Sequence, residues 1–172
     1  SVLLVALSAC STKAPQETKI MAHDPHSFSV PSEAKVTHLR WRADIDFDNR
    51  KITATAEWEI EMKPDAAEII FDTKGLDIKS VTLDKGTPAT FRTGNPDPLL
   101  GSKLIVNLQP GTKSVSIAYE TDPLAEALQW LDPQQTAGKK FPFLFTQSQA
   151  ILARSWVPCQ DSPGIKFTYE AT

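Results

Sequence analysis

Cysteine, glycine and histidine are all scarce in this chain, and each shortage narrows what the chain can be. Two cysteines, Cys10 and Cys159, are too few for a disulfide framework. Seven glycines lie scattered, so no Gly-rich turn is present to cradle a phosphate. The three histidines, His23, His26 and His38, include no His-Glu-x-x-His pair, the spacing that puts two imidazoles and a general base on one helical face. Asp24 and His26 could in principle share a metal. The expected setting for His23 and His26 is instead an exposed lead-in, and for His38 the wet face of a strand beside Arg40, so no metal ligand is assigned. Basic charge is short as well: the formal net charge is −3 and no run of Lys or Arg occurs, which removes the attraction to phosphate that nucleic-acid binding needs. No serine sits in a Gly-x-Ser-x-Gly setting, and Ser162 beside Asp161 has no partner histidine, so no nucleophilic triad is visible. No catalytic residue is assigned within these residues.

What is present begins with Ser1-Val2-Leu3-Leu4-Val5-Ala6-Leu7-Ser8-Ala9-Cys10, apolar but too short to span a bilayer as a helix. It suits the apolar region of an export signal whose charged start is missing. Leu7-Ser8-Ala9-Cys10 has the form of a bacterial lipobox, which makes Cys10 the acylated residue; the alternative is an ordinary signal cut after Ser8. Ser11, rather than an acid, follows the cysteine. The expectation is therefore an exported, outer-membrane-anchored lipoprotein facing the periplasm, with its lipid anchor as a membrane partner and residues 11–22 as a flexible tether. Acylation of Cys10 leaves Cys159 without a partner, and no disulfide is expected. The opening serine and the alternating run Ile165-Lys166-Phe167-Thr168-Tyr169-Glu170 at the close make the chain read as a fragment.

Between the ends the dominant period is two. Leu39, Trp41, Ala43, Ile45 and Phe47 alternate with Arg40, Arg42, Asp44 and Asp46, then Asp48-Asn49-Arg50-Lys51 supplies a turn. Ile52, Ala54, Ala56, Trp58, Ile60 and Met62 resume the alternation, which predicts a β-hairpin. Glu57, Glu59 and Glu61 form a carboxylate row on that strand, of a kind that solvates a sheet face more often than it does acid–base work. Glu68-Ile69-Ile70-Phe71-Asp72 reads as a short buried strand, and Ile78, Val81 and Leu83 belong to another. Residues 86–101 read mostly as loop around a short Thr90-Phe91-Arg92 piece. Residues 103–108 and 114–119 flank Gln109-Pro110-Gly111-Thr112 and predict a second hairpin. Only residues 124–131 look helical, a short segment with prolines at positions 123 and 133. The fold class is mainly β, an antiparallel or mixed β-sandwich with one short helix or turn, occupying residues 23–172.

The most informative stretch is Ala127-Leu128-Gln129-Trp130-Leu131-Asp132-Pro133, then Pro142-Phe143-Leu144-Phe145-Thr146-Gln147-Ser148-Gln149-Ala150, then Val157-Pro158-Cys159-Gln160-Asp161-Ser162-Pro163-Gly164. At these residues the chain closely resembles the leukotriene A(4) hydrolase and bacterial zinc aminopeptidase family, of the gluzincin metallopeptidases. The similarity reaches back to Asp24-Pro25-His26-Ser27-Phe28-Ser29 and Val36-Thr37-His38-Leu39, and so covers nearly everything after the tether. Gln-x-Gln-Ala followed by Pro-Cys-Gln-Asp-x-Pro is specific in combination, although either piece alone is weak.

The resemblance implies a saddle-like β-domain packed against a downstream catalytic domain, where His-Glu-x-x-His and a later Glu hold zinc. None of those ligands lies in these residues, so zinc is expected in the intact protein only. It also implies that Gln147, Ser148, Gln149 and Ala150 line the pocket for the first residue of a peptide substrate. Gln149 suits that task, because a neutral amide offers two donors and an acceptor without adding charge near a metal-bound water. Ala150 leaves room for a side chain. Without the resemblance, Gln147 and Gln149 would be read as bonding loop backbone. Ser148 stands where a cysteine is expected in the vertebrate hydrolase, and its alternating neighbours turn it away from the substrate. Cys159 is expected to be a small buried residue in a hydrogen-bonded corner rather than a nucleophile. The function that follows is that of the non-catalytic N-terminal domain of a zinc aminopeptidase. The alternatives are a free-standing β-sandwich surface lipoprotein that binds protein or glycan, and, ranked lower, a lipid epoxide hydrolase.

Overall fold

The computed structural model describes residues 24–172. Cys10, His23 and the residues expected to form an export segment and a tether lie outside the described residues. Eleven strands follow in order: β1 (Ala34–Asp46), β2 (Lys51–Met62), β3 (Glu68–Thr73), β4 (Asp77–Leu83), β5 (Thr87–Pro88), β6 (Phe91–Thr93), β7 (Ser102–Asn107), β8 (Ser114–Glu120), β9 (Leu128–Leu131), β10 (Phe143–Thr146) and β11 (Thr168–Ala171). They form a six-stranded sheet in the order β11-β1-β2-β8-β4-β5, a three-stranded sheet β3-β7-β6 and the two-stranded ribbon β10-β9.

The hairpin predicted from alternation is β1 and β2, paired antiparallel from Ala34↔Met62 to Asp46↔Lys51. Ile52, Ala54, Ala56, Trp58 and Ile60 are all buried, as a strand with one dry face requires. On the opposite face the carboxylate row is matched by cations: Arg40 Nη2 lies 2.6 Å from Glu59, Arg40 Nη1 lies 3.4 Å from Glu57, and Lys35 lies 3.4 Å from Glu61. Strand β11 then pairs parallel to β1 and covers its outer edge, with Trp41 opposite Ala171.

Two expectations change here. Residues 103–108 and 114–119 are strands joined by a Pro-Gly turn, and Thr112 N–H donates to the Gln109 carbonyl at 3.1 Å, but they do not pair with each other. Strand β7 pairs with β3 and β6, whereas β8 pairs with β2 and β4. The turn is thus a corner that carries the chain from one sheet to the other, which is how a sandwich is closed. Both sheets feed one core: Leu104 and Val106 of β7 and Val115 and Ile117 of β8 are all at 0% exposure within a single cluster.

The short helix expected at residues 124–131 is also corrected. Ala125 N–H donates to Asp122 O and Leu128 N–H to Ala125 O, two successive tight turns, and Leu128–Leu131 is then a strand. Eight residues carry little helical stability of their own. Pairing with β10, from Leu128↔Thr146 to Leu131↔Phe143, satisfies the backbone of residues 128–131 instead. The described residues contain short 3-10 turns at Pro133–Gln135 and Ala153–Ser155.

Trp58 is the central filler of the core. It is fully buried, its ring stands edge-on to Phe167 at 4.9 Å, and its indole N–H donates to the Pro158 carbonyl at 2.9 Å. A buried Trp needs such a partner for its one polar atom.

Candidate functional site

The candidate loop, residues 147–150, begins where strand β10 ends. The Gln147 N–H donates to the Ala127 carbonyl at 2.9 Å, one step beyond the Leu128↔Thr146 pair. Gln147, Gln149 and Ala150 are exposed and Ser148 is half-buried. The Gln149 N–H donates to Gln147 Oε1 at 3.1 Å, which occupies the acceptor of the Gln147 amide within the loop. Among the described residues the Gln149 side-chain amide makes no hydrogen bond, and the residue is exposed. Ser148 turns the other way, and its hydroxyl accepts from Trp156 Nε1 at 3.0 Å.

The far end of the loop is fixed as firmly as its start. The Leu152 N–H donates to the Ser148 carbonyl at 2.9 Å, and the Ser155 hydroxyl donates to the Leu152 carbonyl at 2.7 Å while accepting from Ala127 N–H at 3.1 Å. Ala127, at 0% exposure, therefore bonds the start of the loop directly and the segment after it through the Ser155 hydroxyl. A surface concavity of about 630 Å³ lies at the opposite, turn end of the ribbon. Leu131, Thr136, Phe141 and Phe143 help to line it, and none of residues 147–150 does so.

Next to the loop sits a buried charged cluster that the sequence reading missed. Arg154 and Asp72 are both at 0% exposure. Arg154 Nε donates to Asp161 Oδ2 at 3.0 Å, Nη1 to the Leu100 carbonyl at 2.9 Å, and Nη2 to the His26 carbonyl at 2.7 Å. Asp72 accepts from the Ser27 hydroxyl at 2.5 Å, Phe28 N–H at 2.7 Å and Asp161 N–H at 2.9 Å. Buried charges persist only when paired and hydrogen-bonded in this way. Burial pushes the Asp161 carboxyl up, against the opposing pull of Arg154. The available signal was weak: an acid closing the apolar run Ile69-Ile70-Phe71, and a lone arginine after the loop.

The Pro-Cys-Gln-Asp corner is a hydrogen-bonded unit, as expected. Asp72 N–H donates to the Cys159 carbonyl at 2.7 Å, and the buried Gln160 side chain accepts from Val36 N–H at 3.1 Å and donates to the Ala34 carbonyl at 2.9 Å. Cys159 is free and buried, and desolvation raises its thiol well above the usual range, so it is not a thiolate nucleophile at neutral pH. Ser162, considered above as a possible nucleophile, donates to Asp24 Oδ2 at 2.6 Å. That bond, with His26 N–H at 2.9 Å, lowers the Asp24 carboxyl below the ordinary range. His38 is half-buried, its Nδ1 2.7 Å from the Thr168 hydroxyl.

A zinc ion is the group that the resemblance would bring. Among the described residues no set of three or more His, Cys, Asp or Glu is arranged to hold a metal ion, so these residues do not fit one.

Comparison with known proteins places this geometry. A model of the peptidase M1 N-terminal domain matches residues 35–172, and the chain belongs to that family. It is 40% identical over 152 residues to leukotriene A-4 hydrolase of Xenopus laevis, covering 85% of this chain and 25% of that protein. It is 36% identical over 150 residues to leucine aminopeptidase 2 of Yarrowia lipolytica, covering 86% and 23%. A solved structure of yeast LTA4 hydrolase in complex with bestatin matches with a TM-score of 0.81 at 30% identity, over 92% of this chain and 25% of that one. An M1 zinc metallopeptidase from Deinococcus radiodurans, at 17% identity and a TM-score of 0.59, shares the fold. The chain spans about a quarter of the length of the curated relatives it matches.

These matches favour an M1 N-terminal domain over the free-standing surface β-sandwich. They also correct the expected address. The chain matches a leukotriene A-4 hydrolase and leucine aminopeptidases, and none of these relatives is an outer-membrane lipoprotein by name. The outer-membrane expectation rested on a ten-residue apolar stretch and a four-residue motif, short signals that many sequences reproduce.

Proposed function

We propose that the intact protein is a zinc-dependent aminopeptidase that removes N-terminal residues from peptides, and that residues 23–172 are its N-terminal β-domain. The loop of Gln147, Ser148, Gln149 and Ala150 forms one wall of the pocket for the substrate's first residue. The observation that carries this is the loop's construction: Gln147 is bonded to Ala127 and the Ser148 carbonyl to Leu152 N–H, while Gln147, Gln149 and Ala150 stand exposed. A preorganised loop with a free amide is suited to orienting a polar substrate group, since ordering it costs nothing at the moment of binding. The name of one relative, leucine aminopeptidase, supports peptide hydrolysis as the reaction, and that of the other, leukotriene A-4 hydrolase, supports a hydrolase.

The zinc belongs to the same proposal and takes its ligands from the catalytic domain that the longer relatives leave room for downstream. The domain described here contributes shape and hydrogen bonding, not metal ligands. The test is to read the sequence beyond Thr172 and to assay the intact protein on peptides with free and acetylated N-termini. A downstream His-Glu-x-x-His and turnover of the free peptides alone are expected. Lack of that motif, or equal turnover of acetylated peptides, would overturn the reading.

A further inference from the structure

Ser148 is the one member of the loop whose side chain is turned into the fold, and what it meets there is itself held on three sides. The Trp156 indole N–H donates to the Ser148 hydroxyl at 3.0 Å. The same ring stands edge-on to Trp41, with centroids 5.3 Å apart and planes at 89°. The Trp156 carbonyl accepts from the Tyr119 hydroxyl at 2.9 Å, and that hydroxyl accepts from Trp41 Nε1 at 2.8 Å. Tyr119 is 1% exposed, and burial raises its phenol, which keeps it a neutral donor. Trp41 and Tyr119 lie on β1 and β8, which flank β2 within the six-stranded sheet. A closed relay thus runs from the sheet through Trp41, Tyr119 and Trp156 to the side chain next to Gln149.

We propose that Trp156 is a positioning residue for the substrate-facing loop: its indole N–H, acting through Ser148, fixes the orientation in which Gln149 meets the substrate. This rests on the substrate-lining reading of the loop given above. An edge-to-face pair and a hydrogen bond together leave the indole little freedom to rotate, so the Ser148 hydroxyl has a fixed donor. Without it the loop keeps its main-chain bonds at Gln147 and Ser148 but loses the side-chain tether between them and the sheet.

The test uses the full-length protein with Trp156→Phe, which removes the N–H donor and keeps an aromatic ring, Ser148→Ala, which removes the acceptor, the double variant, and Gln149→Ala as reference. A net hydrogen bond of ordinary strength corresponds to a change of about fivefold. Since the loop binds the substrate before and during reaction alike, that change falls on KM. The expected result is a KM raised about fivefold in each single variant, kcat within about twofold of the parent, and a double variant no worse than either single one, because both remove the same bond. Melting temperatures in line with the parent separate this from general destabilisation. If Trp156→Phe does not fold, Ser148→Ala alone carries the KM comparison. If Gln149→Ala raises KM while Ser148→Ala leaves it at the parent value, the positioning role is overturned and the loop assignment stands. If Gln149→Ala changes nothing, the loop assignment fails and takes this proposal with it.

Discussion

The fully buried Arg154 pairs with the half-buried Asp161, Nε to Oδ2 at 3.0 Å, and so ties the segment just after the candidate loop to the Pro-Cys-Gln-Asp corner. Through the His26 and Leu100 carbonyls the same guanidinium also gathers the lead-in and the turn before β7. Replacing Arg154 with Met removes the cation while Asp72 stays fully buried beside it. Loss of one partner from a buried charged group costs about 3–5 kcal/mol. Urea unfolding of Arg154→Met is expected to show a loss of that size, and a loss near zero would mean the cluster carries no stability.

A second carboxyl, that of Asp24, gives the domain a pH dependence. Its carboxyl is lowered first by the Ser162 hydroxyl and then by His26 N–H. A carboxyl lowered on folding binds fewer protons in the native state than in the unfolded one. Its stabilisation is therefore present above the ordinary Asp range and is lost as pH falls through the lowered native value. Ser162→Ala is expected to flatten the acid side of the stability profile while leaving neutral-pH stability only slightly reduced. Denaturant titrations over a series of acidic buffers read this directly.

Trp58 anchors the corner to β2 through the Pro158 carbonyl and packs on Phe71 and Phe167. Truncation to Ala leaves a cavity and an unpaired carbonyl, for an expected loss of about 3–5 kcal/mol. Trp58→Phe keeps part of the volume but not the donor, and its loss is expected to be smaller. Thermal unfolding of the two variants side by side separates packing from hydrogen bonding.

The extent to which this fold was legible follows from what a period of two does and does not encode. Alternation placed β1 and β2 correctly because a tight turn also joins them, so neighbours in sequence are neighbours in the sheet. The same alternation found β7 and β8 but not their partners, since which sheet a strand joins depends on contacts distant in sequence. At residues 124–131 local helical preference lost to strand pairing with β10. Arg154 was opaque for a related reason: its acceptors at His26, Leu100 and Asp161 are scattered over 135 residues, from position 26 to 161. The loop assignment came from resemblance alone, because two exposed glutamines carry no chemistry that spacing reveals.

The central claim is that loop 147–150 meets the substrate, and Gln149→Ala in the full-length protein tests it most directly. Steady-state kinetics on several peptides are expected to show kcat/KM reduced by about tenfold, as loss of a substrate hydrogen bond of about 1.4 kcal/mol requires, with metal content and melting temperature unchanged. Parent-like kinetics across all the peptides would contradict it.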